Sequence, residues 1–440
     1  MGIRITGSYQ RRYVQGLLHS GSRRSLAIFF SSYAEFWIDH FSEWIECLTV
    51  IIIFEDLRTV VVDCLVSNED PTAGSTTLLT TGSTHHISPH LRRSPRYLMR
   101  KSFPFNFFGS EGRLFLTGTV DEFQKYANRV LEVCSGTSPI WDGLQSEIIP
   151  GDARSYLNAV FRETQIFREA NFTVIGYLDG EIYSSRPVHE FRTDIPYFGN
   201  TLICGSGTEL MQRELLGRGN EYQERFPNDC LEIRSARSLR TTPSIIIHED
   251  TMDAFRTLDV GVGGYVECYR LQDRGLAPRD HLITAIISLR DWESQGLIEI
   301  RRLFFHYYEG ETLIAVSLAS DPNSRGSGFW RLAPGSLLQI PNSCWIVARI
   351  SSLAAHEILT PSDIPSLFVK MNVALEHDIK VQRGWNRTLE KRFSGAYNLF
   401  NIVSNGESCS LTINRDCIKN LAHRYPPGGR DDDPPINWNI

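Results

Sequence analysis

The stretch TVIIIFEDLRTVVVDC, from Thr49 to Cys64, constrains the fold more than any other. Its two runs of β-branched residues lack the polar alternation of a half-exposed strand, so both faces of each strand must be covered. Glu55-Asp56-Leu57-Arg58 supplies the turn between them. A hairpin covered on both faces belongs in an inner layer of a multilayer stack. Two residues do not fit a purely structural hairpin. Thr49 opens it, and the carboxylate of Asp63 sits inside apolar sequence at its end.

The elements that follow come in groups. KSFPFNFF and RLFLTG pair across GSEG, after a polar insertion over residues 68–100. Thr119 and Glu122 form a capping box that predicts a helix over 119–133, with Phe123, Ala127, Val130 and Leu131 on one face. A second helix is expected from Asp152. FTVIGYLDGEIYSS predicts a hairpin turning at Asp179-Gly180, and NTLICGSG a buried strand leading into the helix TELMQRELLG. IIIHEDTMDAFRTLD predicts a further helix, and GGYVECYRL a strand. Helices therefore fall in pairs between sets of strands. That pattern disfavours a doubly wound parallel sheet and favours two packed sheets with helices on both outer faces. Strands continue beyond residue 285, and YPPGGRDDDPPINWNI predicts a disordered tail over 425–440.

Composition sets the function classes aside that need extremes. A net charge of −6 gives no basic excess for nucleic acid, and no apolar run reaches the roughly 18–20 residues of a membrane helix. Nine cysteines without a C-x-x-C pair point to free thiols in a reducing compartment, hence to a cytoplasmic setting. Residues 1–48 differ from the rest. Arg4, Arg11, Arg12, Arg23 and Arg24 precede the first acidic residue, Glu35. Such a segment reads as a transit peptide, a propeptide, an ordinary extension, or a stretch outside the working protein.

Four segments in order carry a resemblance to the proteasome β subunits and their bacterial proteasome-like relatives, within the N-terminal nucleophile hydrolases. TVIIIFEDLRTVVVDCLVS resembles the family's opening hairpin. KSFPF with RLFLTGTVDEFQ resembles its lysine strand and the glycine-ended strand that enters the first helix. VIGYLDGEIYS with TLICGSGTELMQREL resembles the central hairpin and its G-S-G turn. TLDVGVGGYVECYRL resembles the aspartate and paired glycines before the next strand. The resemblance spans about half the chain, from Thr49 to about Gly264. It implies an α+β fold, a four-layer αββα sandwich over 49–284, with a mixed α/β C-terminal extension or small domain over 285–424. It also implies a homo-oligomer acting on peptide or protein, without cofactor, metal or membrane.

The resemblance also implies roles. Thr49 would be the nucleophile through its hydroxyl, with its own free α-amine as general base; such an amine has a pKa of about 7.7–8.0, near working pH. Lys101 would sit beside that hydroxyl, and Asp63 would hold Lys101 charged. The Gly118 N–H would face the oxyanion. Ser206 and Asp259 would support the amine, and Ser67 would offer backbone groups to an extended substrate. The sequence departs from the family at four points: Leu48 stands where self-processing relatives carry glycine, Leu65 where they carry arginine, Val262 where they carry serine, and the basic insertion stretches the interval from Asp63 to Lys101.

Each residue also has a plain structural reading. Thr49 is then a strand residue, Asp63 a turn carboxylate, and Lys101 one more charge beside Arg92, Arg93, Arg96 and Arg100. His85, His86 and His90 have metal-like spacing, but in a Ser/Thr/Gly-rich loop without a nearby cysteine or carboxylate. CGSG lacks the third glycine of a nucleotide fingerprint. The expectation is a threonine-type amidohydrolase or peptidase whose working chain begins at Thr49, freed by cleavage after Leu48 or by translation starting at codon 48. The alternatives are a non-catalytic scaffold or sensor of the same fold, and an amidohydrolase of small molecules. The first two differ in whether a free Thr49 amine exists.

Overall fold

The computed structural model describes residues 46–47, 49–68, 94–107, 110–120, 126, 173–178, 180–184, 186–247, 257–258, 260–272, 275–280, 282–289, 291–319, 321–323, 329–352, 354–359, 366–368, 376–382, 388–394, 400–404 and 407–424. Contacts divide the chain into Met1–Ile45 and Glu46–Ile440, and the described residues all belong to the second unit. The architecture is mixed α+β and dominated by strands.

Strand β1 is Glu46–Cys47, β2 is Ile51–Phe54, β3 is Thr59–Asp63, β4 is Leu65–Asn68 and β5 is Ser94–Leu98. They are followed by β6 (Ser102–Phe107), β7 (Ser110–Thr119), β8 (Thr173–Leu178), β9 (Glu181–Ser184), β10 (Arg192–Ile195) and β11 (Gly199–Cys204). Helices α1 (Thr208–Arg225) and α2 (Leu231–Ile247) come next, then β12 (Val266–Gln272) and β13 (Gly275–Pro278). One sheet runs β10-β11-β2-β3-β12-β13; the second runs β1-β7-β8-β9, with β6 also on β7.

The opening hairpin lies at the centre of the first sheet and is buried throughout both strands. Its register puts Ile51 opposite Val62 and Ile53 opposite Val60. These four pack against Phe115, Ile175 and Tyr177 of the second sheet. Val50, Ile52, Phe54 and Val61 point the other way and pack against Met211 and Leu215 of α1 and Leu239 and Ile246 of α2. Each such fully buried side chain contributes about 1.5–3 kcal/mol. The expected double-sided burial is therefore present, with a sheet on one side and a helix pair on the other. Of the helix expected over 119–133, Thr119 ends β7, and Val120 and Tyr126 are helical and buried. Its remaining residues, the helix expected from Asp152 and the tail over 425–440 lie outside the described residues.

Two details differ from the sequence reading. Of the helix expected in IIIHEDTMDAFRTLD, Thr257 and Leu258 are helical and residues 248–256 and 259 lie outside the described residues, while Ile245–Ile247 end α2, which begins at Leu231 and was not expected. Pro243 sits inside α2, and proline's lack of an N–H normally signals a boundary, which hid this helix. The insertion over 68–100 closes as β5, which pairs back on β4.

The C-terminal strands do not form a detached body. β14 (Leu282–Ser288) spans the expected boundary at 284, β15 is Ile298–Glu309 and β16 is Thr312–Leu318. Together with Trp345–Ile350 and four further strands they form a sheet in which one of those four, Glu376–Gln382, pairs parallel to β14. Phe304, Leu313, Ala315, Ala348 and Ile350 of this sheet join the same core as α1 and α2. Its other face buries Phe305, Tyr307 and Val316 with Ile340, Leu411 and Ile418.

His356 ties this region to β5. The Leu98 N–H donates to its Nδ1 at 3.1 Å, and the His356 N–H donates to the Leu98 carbonyl at 2.9 Å. Burial lowers its pKa below the usual 6.5. The unfolded chain thus takes up the proton first, so the bond's stabilisation is complete above pH 6.5 and is lost as pH falls through the lower folded value. Unfolding midpoints in urea between pH 7 and 5 should fall more for the wild type than for His356→Ala.

Candidate active site

The last residue of β3 gathers the site. Asp63 is fully buried, and three N–H groups converge on its carboxylate. Oδ1 accepts from the Val50 N–H at 2.9 Å and from Lys101 Nζ at 3.0 Å; Oδ2 accepts from the Gly263 N–H at 3.2 Å. Lys101 is equally buried. Burial pushes the Asp63 carboxyl above its usual 3.8, and the Lys101 charge and the N–H donors pull against that rise without cancelling it. All three partners donate, which is the pattern of an ionised carboxylate.

The hairpin register brings Thr49 to the same place. Val50 shares Asp63 Oδ1 with Lys101, so the lysine head lies beside the Thr49–Val50 backbone. Thr49 is fully buried, and its hydroxyl has no hydrogen-bond partner among the described residues. The expected bond from Lys101 to that hydroxyl is therefore not formed, and the Thr49 nitrogen is a peptide N–H. That N–H donates to Ser206 Oγ at 3.2 Å, and Ser206 in turn donates to the Val260 carbonyl at 3.1 Å. Ser206 is exposed, so the nitrogen side of Thr49 is the side nearest water.

Glycines make this approach possible. Gly205 has φ +105°, and a Cβ there would lie 1.9 Å from the Thr49 carbonyl oxygen. Gly264, at φ +72°, packs against Leu65 and Leu98, while the Gly263 carbonyl accepts from the Leu65 N–H at 3.1 Å. The paired glycines thus hold the turn after Asp63.

Gly118 has φ +125° near the end of β7 and is the register partner of Cys47; Thr119 is the partner of Glu46. β1 also contacts β4, the strand of Ser67. The two residues that precede Leu48 therefore lie along the Gly118 strand and against the Ser67 strand. Ser67 is buried, with a hydroxyl that lacks a hydrogen-bond partner among the described residues. Of the seven expected site residues, Thr49, Asp63, Lys101 and Ser206 are joined directly or through Val50. Gly118 and Ser67 line the upstream segment, and Asp259 lies outside the described residues. Val262 packs a methyl against Gly207, and Ser206 holds the Thr49 N–H.

Among the described residues no group of three or more His, Cys, Asp or Glu could hold a metal, and no helix is long and apolar enough to cross a membrane. His85, His86 and His90 lie outside them. No family model matches the chain, and no curated protein matches it.

Removing one partner of a buried ion pair costs about 3–5 kcal/mol, because the other charge is stranded. Asp63→Ala should lose at least that in urea denaturation, since Val50 and Gly263 lose an acceptor too. Adding Lys101→Met to Asp63→Ala should recover part of the loss. A double variant that is less stable than Asp63→Ala would mean Lys101 is held by other partners.

Proposed function

We propose that the chain is a threonine-type N-terminal nucleophile hydrolase, with the four-layer αββα architecture of the proteasome-like branch, cleaving amide or peptide bonds. The observation that carries this reading is Asp63 Oδ1, shared by Lys101 and the Val50 N–H beside a buried, unpartnered threonine hydroxyl. A lone structural aspartate does not need a buried lysine; a nucleophile that must lose a proton does.

The chemistry requires the Leu48–Thr49 bond to be opened. The freed amine, near Ser206, then takes the proton as the Thr49 hydroxyl attacks a substrate carbonyl. The Lys101 charge stabilises the developing alkoxide, and Asp63 keeps that charge fixed. The oxyanion lies toward the Gly118 N–H. The C–N bond breaks, the amine leaving group takes the proton, and water then hydrolyses the Thr49 ester. The run of Glu46–Cys47 along Gly118–Thr119 supports an extended peptide on this path. On the same reading the protein is a cytoplasmic homo-oligomer that acts on peptide or protein without a cofactor.

The second reading is a non-catalytic scaffold. It is favoured by the Thr49 nitrogen, which is an amide bonded to Ser206, and by the missing bond from Lys101 to the hydroxyl.

N-terminal sequencing of the protein made from its natural gene should read Thr-Val-Ile. Thr49→Ala should lower hydrolysis of fluorogenic peptide amides by roughly 10,000-fold or more. Because the freed Thr49 amine must be unprotonated to act as base, the acid limb of the pH–rate profile should fall near the ordinary α-amine pKa of about 7.7–8.0. A native chain that retains residues 1–48, with no Thr49-dependent hydrolysis, leaves the scaffold reading.

A further inference from the structure

Lys101 is one residue of a pinned segment. Arg100, before it, is buried; its Nε donates to Glu267 Oε1 at 2.6 Å and its Nη2 to the Tyr269 hydroxyl at 2.9 Å. Ser102, after it, bonds the same Tyr269 hydroxyl at 3.0 Å and donates to Glu267 Oε2 at 3.3 Å. Arg113 of β7 donates through Nη1 to Ser102 Oγ at 3.2 Å. Side chains alternate along extended backbone, so Arg100 and Ser102 face this network while Lys101 faces Asp63.

The network ends on the C-terminal sheet. Glu311, between β15 and β16, accepts at Oε2 from Arg113 Nη2 at 2.7 Å and from Arg100 Nη1 at 3.3 Å. Its backbone carbonyl also accepts from Arg100 Nη1. The Arg100 N–H donates to the Ser351 carbonyl at 3.0 Å, and Ser352 Oγ to the Ser102 carbonyl at 2.6 Å. Tyr308 lies under the Arg100 guanidinium, 5.2 Å from its ring centre. Burial alone depresses Arg100, and Glu267, Tyr269 and Tyr308 more than reverse it; Arg113 likewise ends raised, with Tyr269 and Glu311 opposing its burial. Two buried guanidiniums thus face one buried carboxylate, Glu267, and one half-exposed carboxylate, Glu311, whose side chain is 50% exposed.

We propose that Glu311 is a positioning residue for Lys101: the C-terminal sheet sets the lysine's place in the candidate site through Glu311, Arg100 and Arg113. The catalytic consequence rests on the threonine-nucleophile reading; the coupling itself does not. An apolar contact would join these sheets without the cost of desolvating three charges, Arg100, Arg113 and Glu267. A charged network that reaches the surface at one carboxylate instead makes the Lys101 segment depend on that carboxylate's charge. Neutralising Glu311 leaves one excess guanidinium charge inside, and the segment must shift to hydrate it.

The test uses full-chain protein labelled with 13C at lysine Cε. The chain has six lysines (Lys101, Lys125, Lys370, Lys380, Lys391 and Lys419), and Lys101→Arg identifies the resonance of interest. Glu311→Gln should move the Lys101 resonance and lower kcat of Thr49-dependent hydrolysis about 10- to 100-fold with KM unchanged, as a displaced reacting group does. Glu311→Asp should restore part of both. Glu357→Gln, which breaks the exposed pair with Arg349, should move neither. A folded Glu311→Gln variant with an unmoved Lys101 resonance overturns the proposal and makes the network purely structural. A moved resonance in a protein without Thr49-dependent hydrolysis upholds the coupling and removes the catalytic reading instead.

Discussion

The carboxylate of Asp63 is the constraint on which the rest of the structure depends. An ionised group with no exposure to water survives only when its oxygens are filled by donors. Here the donors come from three distant parts of the chain: Val50 in the same hairpin, Lys101 before β6, and Gly263 before β12. Meeting that one demand fixes the hairpin's end, the entry of the lysine segment and the glycine turn at once. Conserving the charge is expensive in a core that is otherwise apolar.

Much of this was legible because it is local or periodic. The hairpin from Thr49 to Asp63 reads directly from unbroken β-branched runs, and its burial on both faces follows from them. The glycines of CGSG and VGG mark two places where backbones approach closely. The pairing of Asp63 with Lys101 was legible only through the order of motifs, since the sequence shows Lys101 as the last of a basic run. The structure separates that run by alternation: Arg100 faces Glu267 and Lys101 faces Asp63.

The rest was not legible, for physical reasons. Glu311 lies in an ordinary E-G-E turn between two apolar strands, and no local pattern says that its carboxylate reaches two arginines two hundred residues earlier. The C-terminal strands share a core with α1 and α2 through single faces of β15, β16 and Trp345–Ile350, which alternation predicts as buried without naming the partner. Helix α2 was obscured by Pro243, because propensity speaks for the isolated segment while packing against β3 and β12 decides the outcome.

The short strand Glu46–Cys47 also guards a sheet edge. While it lies on Gly118–Thr119 it closes the upper end of β7, which β6 covers only as far as its register with Phe115. Without it, that end would be an open sheet edge, and open edges recruit stray strands as readily as intended ones. The stretch is only two register positions long and ends at a glycine-containing bend into Val120. An edge of that length can hold a single extended chain, yet it offers too short a template for aggregates to propagate along the sheet.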